Sequence, residues 1–287
     1  SNDLYEDRLV ETALAPDGTP WMIWVKETGD VSGSQLLTAT FDGTAWSEPV
    51  EVSPDAGYVS GSDILFDTQG NGLAVWSAVD SSGFTADSTD EEVYQSFSTG
   101  DIFYALYQNG EWSAPQTTFV AEGNDTKPVL GLGANNTLLL AWINRSETGT
   151  NSLMSASWNG TSWTAATVVD TGNFVGEATV SIVDGKTTLF WSENVSTETD
   201  VTDTSLFYST YSDSTGWETP LLFVPAVADG FSSIEAAEFG SSTHASDGFH
   251  ASAISVPSPP EELCECEEGD PECEPYEPEP VVPSDPN

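Results

Sequence analysis

Carboxylates are the side chains with which this sequence could do chemistry. The chain holds 47 Asp and Glu residues against five Lys and Arg residues, a formal net charge of −42. Two stretches are especially acidic and contain Asp80, Asp87, Asp90, Glu91, Glu92 and Asp101 in the first, and Glu193, Glu198, Asp200 and Asp203 in the second. Grouped carboxylates can bind a ligand, bind calcium, or act as acid and base in glycoside hydrolysis.

The very abundance of acids limits what they indicate about catalysis. With 47 carboxylates, a pair suited to a glycoside hydrolase or lyase could arise anywhere, so this activity stays open as a second alternative only. The arginine count is more selective, because a sialidase needs three arginines to clamp the sugar carboxylate, and this chain has only Arg8 and Arg145. The sequence also has no zinc-spaced His and Cys set, no phosphate-binding Gly loop and no nucleophile elbow. We therefore expect no catalytic residues.

One short segment has the residue types of a metal site. Asp67, Gln69 and Asn71 alternate oxygen ligands around the turn at Gly70, so Asp67 and Asn71 are weak candidate ligands for calcium. The twelve-residue loop with a terminal Glu is missing, and a turn held by its own polar side chains is the favoured interpretation. The sequence indicates no certain cofactor and leaves calcium open.

The charge balance also bears on partners. A surface this acidic repels phosphate backbones and anionic headgroups, so we expect no nucleic-acid partner. No apolar run reaches the roughly 18 residues that suggest a membrane-spanning helix, and we expect no membrane insertion.

Tryptophans mark the elements that must position the acids. Four strand-like segments end in Trp24, Trp76, Trp142 and Trp191, and each is followed by a segment that opens with Trp46, Trp112, Trp163 or Trp217. A repeat of about 40 to 50 residues with four short strands is typical of β-propeller blades. We predict an all-β propeller of four-stranded antiparallel blades, four full blades plus a partial fifth, with an extended acidic Pro-rich C-terminal tail. Trp21 and Trp158 lie outside the repeated positions.

The predicted boundaries place the acids on one face of the propeller. The propeller takes residues 1–256, with blades at about 4–54, 55–120, 121–172 and 173–225 and a partial blade at 226–256, and 257–287 form a linker to a further module. Loops between the second and third strands, at about 27–34, 80–101, 144–151 and 193–204, all open on the same face. Because the two acidic stretches fall in these loops, we predict that this face binds a ligand.

Several short motifs resemble known propeller repeats. They are similar to the tandem repeats of secreted bacterial multidomain surface proteins, and one hairpin is distantly similar to the Asp-box of sialidase-type propellers. The motifs are Asp67-x-x-Gly70-Asn71-x-x-Ala74-Val75-Trp76, Gly110-x-Trp112-x-x-Pro115, and the hairpin Ser212-Asp213-Ser214-Thr215-Gly216-Trp217. The tail also resembles spacers that precede further modules in very large bacterial surface proteins. The resemblance implies an extracellular, cell-surface protein that continues beyond this chain.

The sequence as a whole favours a non-enzymatic extracellular propeller module for adhesion or assembly of a large bacterial surface structure. The first alternative is a lectin-like propeller that stacks a glycan on aromatic side chains between blades. The expected partner is protein, either another copy in a homo-oligomer or filament or other modules of the same protein. A turn at Gly269-Asp270-Pro271 predicts a disulfide between Cys264 and Cys273, with Cys266 left for another chain.

Overall fold

A computed structural model describes most of the first 252 residues. The described ranges are 7–30, 33–80, 85, 88–89, 98–118, 123–133, 136–146, 151–172, 174–183, 186–194, 204–212, 214–227, 233–237 and 248–252. Within them the structure has twenty β-strands. The described residues contain no helix with the length and apolar character needed to cross a membrane.

Eighteen strands form four antiparallel sheets that follow one another along the chain. The first sheet contains β1 (Asp7–Leu14), β2 (Pro20–Asp30), β3 (Gly33–Thr40) and β4 (Val50–Ser53). The second contains β5 (Tyr58–Phe66), β6 (Gly72–Val79), β7 (Asp101–Gln108), β8 (Glu111–Trp112) and β9 (Gln116–Thr117). The third contains β10 (Asn124–Leu132), β11 (Leu138–Arg145), β12 (Asn151–Trp158) and β13 (Thr167–Gly172).

The fourth sheet and a final strand pair complete the described structure. That sheet contains β14 (Phe174–Val183), β15 (Lys186–Asn194), β16 (Thr204–Ser212), β17 (Gly216–Trp217) and β18 (Leu221–Val227). The pair is β19 (Ser233–Ala237) with β20 (Gly248–Ser252). In the second and fourth sheets the outer strand is split into two short pieces. Pro115 and Pro220 lie in the gaps, where a residue without an N–H cannot continue the ladder.

The first strands of successive sheets lie side by side. β1 contacts β5, β5 contacts β10, β10 contacts β14, and β14 contacts β19. Each sheet then runs outward from its first strand to its fourth in simple sequence order. Sheets arranged radially in this way are the blades of a β-propeller, so the predicted all-β architecture of four-stranded antiparallel blades is confirmed, while the blade count and the C-terminal tail stay predictions.

The two tryptophan series have different places in each blade. Trp76, Trp142 and Trp191 lie on second strands and are only 1% exposed, so they form the core between blades. The other series faces the third strand across the outer hairpin, as in the pairings of Tyr107 with Trp112 and of Trp158 with Trp163. The outer-hairpin positions agree with the repeat, but the prediction that second strands end at their tryptophans was wrong. β6 continues from Trp76 to Val79 and β11 from Trp142 to Arg145, because pairing with the third strands persists beyond the tryptophans.

Every first strand of the four full sheets is interrupted near its start. The register shifts lie between Arg8 and Glu11 in β1, Val59 and Gly61 in β5, Thr126 and Val129 in β10, and Phe174 and Ala178 in β14. Two of these bulges hold non-glycine residues with left-handed backbone, Leu9 (φ 52°) and Lys127 (φ 54°). Bulges bend a strand and change the direction of its side chains, so the first strand of each of the four blades bends near its start.

Close packing of neighbouring first strands can be tested at Gly131. A Cβ atom at this position of β10 would overlap Cγ1 of Val180 on β14. We expect Gly131→Ala to lower the free energy of unfolding by about 1–3 kcal/mol through overpacking, measured by denaturant unfolding. Shortening the partner should relieve the overlap, so Gly131→Ala combined with Val180→Ala should be more stable than the two separate losses predict. Additive losses would contradict this packing.

Candidate functional site

The edge at which the second strands end gathers the acids of interest. First strands begin at this edge and third strands also begin there, because neighbouring strands are antiparallel. We call it the loop face, defined by the ends of β6, β11 and β15 and the starts of β7, β10 and β14. The connections between second and third strands all leave from it, as predicted.

Three of the ten predicted ligand-binding acids fall within the described residues. Asp80 directly follows β6 and is exposed, Asp101 is the first residue of β7, and Glu193 is the next-to-last residue of β15. Asp101 and Glu193 belong to strands and not to loops. Each still pairs with a residue of the neighbouring strand, Asp101 with Ala78 and Glu193 with Ser205. The remaining seven, Asp87, Asp90, Glu91, Glu92, Glu198, Asp200 and Asp203, lie outside the described residues.

The carboxyl group of Glu193 lies between the third and fourth blades. Its Oε1 accepts a hydrogen bond of 2.7 Å from Nε1 of Trp191, two residues earlier on the same strand. It also shares a hydrogen bond with the carboxyl group of Asp170 on β13. Gly172, two residues beyond Asp170, makes room for this arrangement, since a Cβ atom there would collide with the Glu193 carboxylate.

This environment raises the pKa of Glu193 into the neutral range. Burial is the main cause that raises its pKa from the ordinary 4.5 to about 7, and the negative charge of Asp170 adds to the effect. The hydrogen bond from Trp191 favours the charged form and opposes the rise. A neighbouring carboxylate raises the pKa of an acid because a second negative charge at this place would be repelled.

A second acid, Asp125 at the start of β10, is almost completely buried. It is 1% exposed, and its Oδ1 accepts hydrogen bonds from Nε1 of Trp142 at 2.9 Å and from Nδ2 of Asn144 at 2.7 Å. Burial raises its pKa, with a smaller contribution from the charge of Asp101, while the two hydrogen bonds oppose the rise. Its position is structural, since a substrate could not reach it.

Sequence reasoning missed Asp125 and Asp170. A signal for Asp125 existed in the sequence spacing. In the first blade Asp7 accepts a hydrogen bond of 3.2 Å from Trp24, and this pair is separated by 17 residues, as are Asp125 and Trp142. Asp170 had no comparable signal, because it meets Glu193 from a neighbouring blade.

An ion pair between Arg8 and Glu27 also lies at this end of the propeller. Arg8 contacts Glu27 through Nε and Nη2, both at 2.6 Å, and its Nη1 donates to the backbone oxygen of Val59 at 2.9 Å. The guanidinium thus joins the first and second blades. It is already engaged by a carboxylate, which leaves it poorly suited to clamp an anionic ligand.

The weak calcium candidates hold their own turn. Oδ1 of Asp67 accepts the backbone N–H groups of Gln69 and Asn71, each at 2.8 Å, and its Oδ2 accepts Nδ2 of Asn71 at 2.8 Å. These contacts are those of a tight hairpin turn. In the ranges that the structure describes, no three His, Cys, Asp or Glu residues come together as a metal site. Cys264 and Cys273 lie outside those ranges, so their disulfide stays a prediction.

Comparison with known proteins bears on the fold. No protein-family model and no curated protein sequence matches the chain. Among solved structures, the α-L-arabinofuranosidase Arb93A from Fusarium graminearum matches with a TM-score of 0.54 and 12% identity, over 79% of this chain and 72% of that one. The intramolecular trans-sialidase from Ruminococcus gnavus gives 0.51 and 10%, over 76% and 71%. A protein of unknown function from Dyadobacter fermentans gives 0.51 and 13%, over 76% and 70%. These likenesses establish the propeller fold.

This finding corrects the prediction of a non-enzymatic adhesion or assembly module. The fold is shared with an arabinofuranosidase and a trans-sialidase, so it is a scaffold on which carbohydrate chemistry takes place. The sequence-based expectation of no enzyme rested on the lack of a recognisable catalytic constellation. It is overturned by the structural likeness to an arabinofuranosidase and a trans-sialidase, because a propeller without a recognisable local motif is not thereby a non-enzymatic module.

The structural role of Asp125 gives a direct test. Asp125→Ala removes the acceptor of two hydrogen bonds from a buried position, and we expect a loss of about 1–3 kcal/mol for each bond in the free energy of unfolding. Asp125→Asn keeps an acceptor oxygen and removes the charge, so it should unfold close to the original protein at neutral pH.

The pH dependence of unfolding separates the two variants further. A raised folded-state pKa means that the stability from protonated Asp125 is present below the unfolded-state pKa and lost as the pH rises through the folded-state value. Asp125→Asn should therefore gain stability relative to the original protein as the pH rises. Equal losses for Ala and Asn at every pH would contradict this role.

Proposed function

We propose that this chain is a glycoside hydrolase with Glu193 as its general acid. The observation that carries the proposal is the proton that burial and Asp170 hold on Glu193 up to a pH of about 7. A general acid must be protonated at the pH at which it works, and a raised carboxyl pKa is the usual means. Glu193 is also partly exposed on the loop face, where a glycan can approach it.

Asp170 acts on the reaction through Glu193. The two carboxyl groups are within hydrogen-bond distance, whereas the acid and the nucleophile or base of a glycosidase lie about 5–5.5 Å or about 6.5–9.5 Å apart. Asp170 is therefore a positioning residue that raises the pKa of the acid. Among the described residues, Asp80 and Asp101 at the loop-face ends of β6 and β7 are candidates for the second catalytic carboxylate.

The reaction needs one proton transfer in each direction. The Glu193 proton moves to the glycosidic oxygen as the bond from that oxygen to the anomeric carbon breaks. Water then adds its oxygen to the anomeric carbon. In direct attack the second carboxylate takes the proton of the water, whereas after a covalent intermediate the ionised Glu193 takes it and is thereby restored. Trp191 holds Oε1 of Glu193 in place during these steps.

Charge favours a neutral glycan as the substrate. The chain carries −42 formal charges, and the only two arginines are Arg8, engaged with Glu27, and Arg145. An anionic sugar would meet repulsion with too few cations to compensate. We therefore place substrates with neutral sugars ahead of sialic acids and uronic acids.

Two further inferences accompany this function. We infer a ring of five blades, since β19 lies beside β14 in the place of a fifth first strand and pairs with β20. We also infer an extracellular protein, which the acidic composition and the resemblance to secreted bacterial repeats support. Self-association into a homo-oligomer or filament stays a prediction, as does the linker at residues 257–287.

The proposed acid is tested by hydrolysis of a panel of nitrophenyl glycosides, including arabinofuranosides, and of neutral oligosaccharides. We expect turnover of at least one neutral substrate, and Glu193→Gln should lower kcat about 10²- to 10⁴-fold because Gln cannot donate the proton. The matched control is Glu111→Gln on the exposed outer hairpin, which should keep full activity. No turnover across the panel, or full activity in Glu193→Gln, would overturn the proposal.

The role of Asp170 is tested by the pH profile. Because the acid must be protonated, kcat/KM of the original protein should fall as the pH rises through about 7. Asp170→Asn removes a negative charge that raises the pKa of Glu193, so the alkaline fall should move to lower pH. A purely structural role for Asp170 would lower activity equally at every pH.

A further inference from the structure

A groove lies between the first and second blades at the end of the propeller opposite to the loop face. Its volume is about 470 Å³, within the range of roughly 300–1,000 Å³ common for small-molecule sites. Two turns border it, the one between β1 and β2 with Asp17 and Thr19, and the one between β5 and β6 with Gln69. Trp21, Phe66 and Tyr107 give it an aromatic floor.

The central residue of this floor breaks the repeat. Trp21 lies three residues before the second-strand tryptophan, and the corresponding residues of the other blades are Leu73, Leu139 and Thr188. Those three are at most 2% exposed, whereas Trp21 is partly exposed. The core of a blade is thus filled without an indole at this position. Trp21 packs against the edge of the core and, unlike those three residues, also presents part of its ring to solvent.

Neighbouring rings hold that indole in a fixed orientation. Its centroid lies 4.9 Å from Phe66 at an interplanar angle of 47°, and 4.8 Å from Tyr107 at 67°. Gly72 makes the cluster possible, because a Cβ atom there would come within 2.8 Å of the Phe66 ring and 3.0 Å of Tyr107 Cβ. Edge and tilted contacts with neighbouring rings leave the position of the indole set before any ligand arrives.

The rim of the groove supplies fixed polar groups. Asp17 is exposed and accepts the backbone N–H of Thr19 at 2.9 Å, a contact that holds the pKa of its carboxyl group below the ordinary value. Gln69 sits on a turn that Asp67 fixes through a 2.8 Å hydrogen bond to its backbone N–H. Hydroxyl groups of a ligand would find a charged acceptor on one side and an amide on the other.

We propose that this groove binds one or two residues of a neutral saccharide. The apolar face of a sugar ring would lie on Trp21, and its hydroxyl groups would donate to Asp17 and exchange hydrogen bonds with Gln69. The negative charge of Asp17, with no cationic side chain in the lining, disfavours anionic sugars. A fully apolar ligand would leave the polar rim without partners, which disfavours lipids and apolar peptides.

The site differs from the proposed active site in both place and purpose. The groove is bordered by turns between first and second strands, whereas Glu193 lies where a second strand ends. A sugar-binding groove away from the reacting centre would hold a polymeric glycan on the protein. Its existence does not depend on the hydrolytic function.

The test measures binding by titration calorimetry on the full chain, in a Glu193→Gln background so that turnover cannot interfere. The probes are neutral arabino-, xylo- and cello-oligosaccharides, with sialyllactose and oligogalacturonate as anionic comparisons. We expect a neutral probe to bind with a Kd of about 1 mM or tighter. Trp21→Leu, which introduces the residue of the second and third blades, should weaken binding at least about tenfold, or about 1.4 kcal/mol.

Trp46→Leu is the matched control, because Trp46 is an exposed indole (45%) that does not line the groove. The affinity of this variant for the neutral probe should stay unchanged. Asp17→Ala and Gln69→Ala on the exposed turns give a second set of variants should Trp21→Leu not fold. The proposal is overturned if no neutral probe binds, if binding is unchanged in Trp21→Leu and in the Asp17→Ala and Gln69→Ala variants, or if anionic probes bind better than neutral ones. Sugar binding without any hydrolysis would retain the groove and remove only the enzyme proposal.

Discussion

The buried indole N–H of the second-strand tryptophan is the constraint on which the rest of this propeller depends. A large aromatic side chain between blades contributes most of the local core, but its N–H group needs an acceptor once water is excluded. In the third and fourth blades the acceptor is a carboxylate, from Asp125 or Glu193, and in the first blade Asp7 accepts from the less buried Trp24. A carboxylate taken out of water resists ionisation, so the requirement of the fold itself raises the pKa values of Asp125 and Glu193.

The same requirement has different consequences in different blades. In the third blade the acceptor comes from the start of the first strand, where Asp125 is sealed off at 1% exposure. In the fourth blade Phe174 stands at the corresponding position of the first strand. The acceptor is instead Glu193, a residue of the second strand itself. An acceptor at that place reaches toward the neighbouring blade and meets Asp170 while remaining partly exposed. A proton that is both held and accessible is what separates a candidate acid from a structural one.

The sequence predicts the fold much better than the site. Regular spacing of two tryptophan series is enough to place the second strands and the outer hairpins, because the same local packing recurs in each blade. Prolines three residues after the outer tryptophans even indicate the weak outer strands. The pairing of Asp170 with Glu193 is different, since it joins two blades through a contact that no spacing encodes. With 47 acids to choose from, composition offers no help in finding that pair.

Both candidate sites lie where one blade departs from the others. The fourth blade replaces the first-strand acceptor by Glu193, and the first blade replaces a buried leucine by Trp21. In a repeat protein the recurring residues satisfy packing that every blade needs, so they carry little information about function. A departure that adds a carboxyl group or a partly exposed ring is not explained by the packing of the core. The fold must also make room for it, and here two glycines do so, Gly172 beside Glu193 and Gly72 beside the rings that contact Trp21. When a propeller sequence offers no catalytic motif, the useful signal is therefore a pair of residues that differ from the repeat. One is a candidate functional side chain, and the other is the glycine that makes room for it.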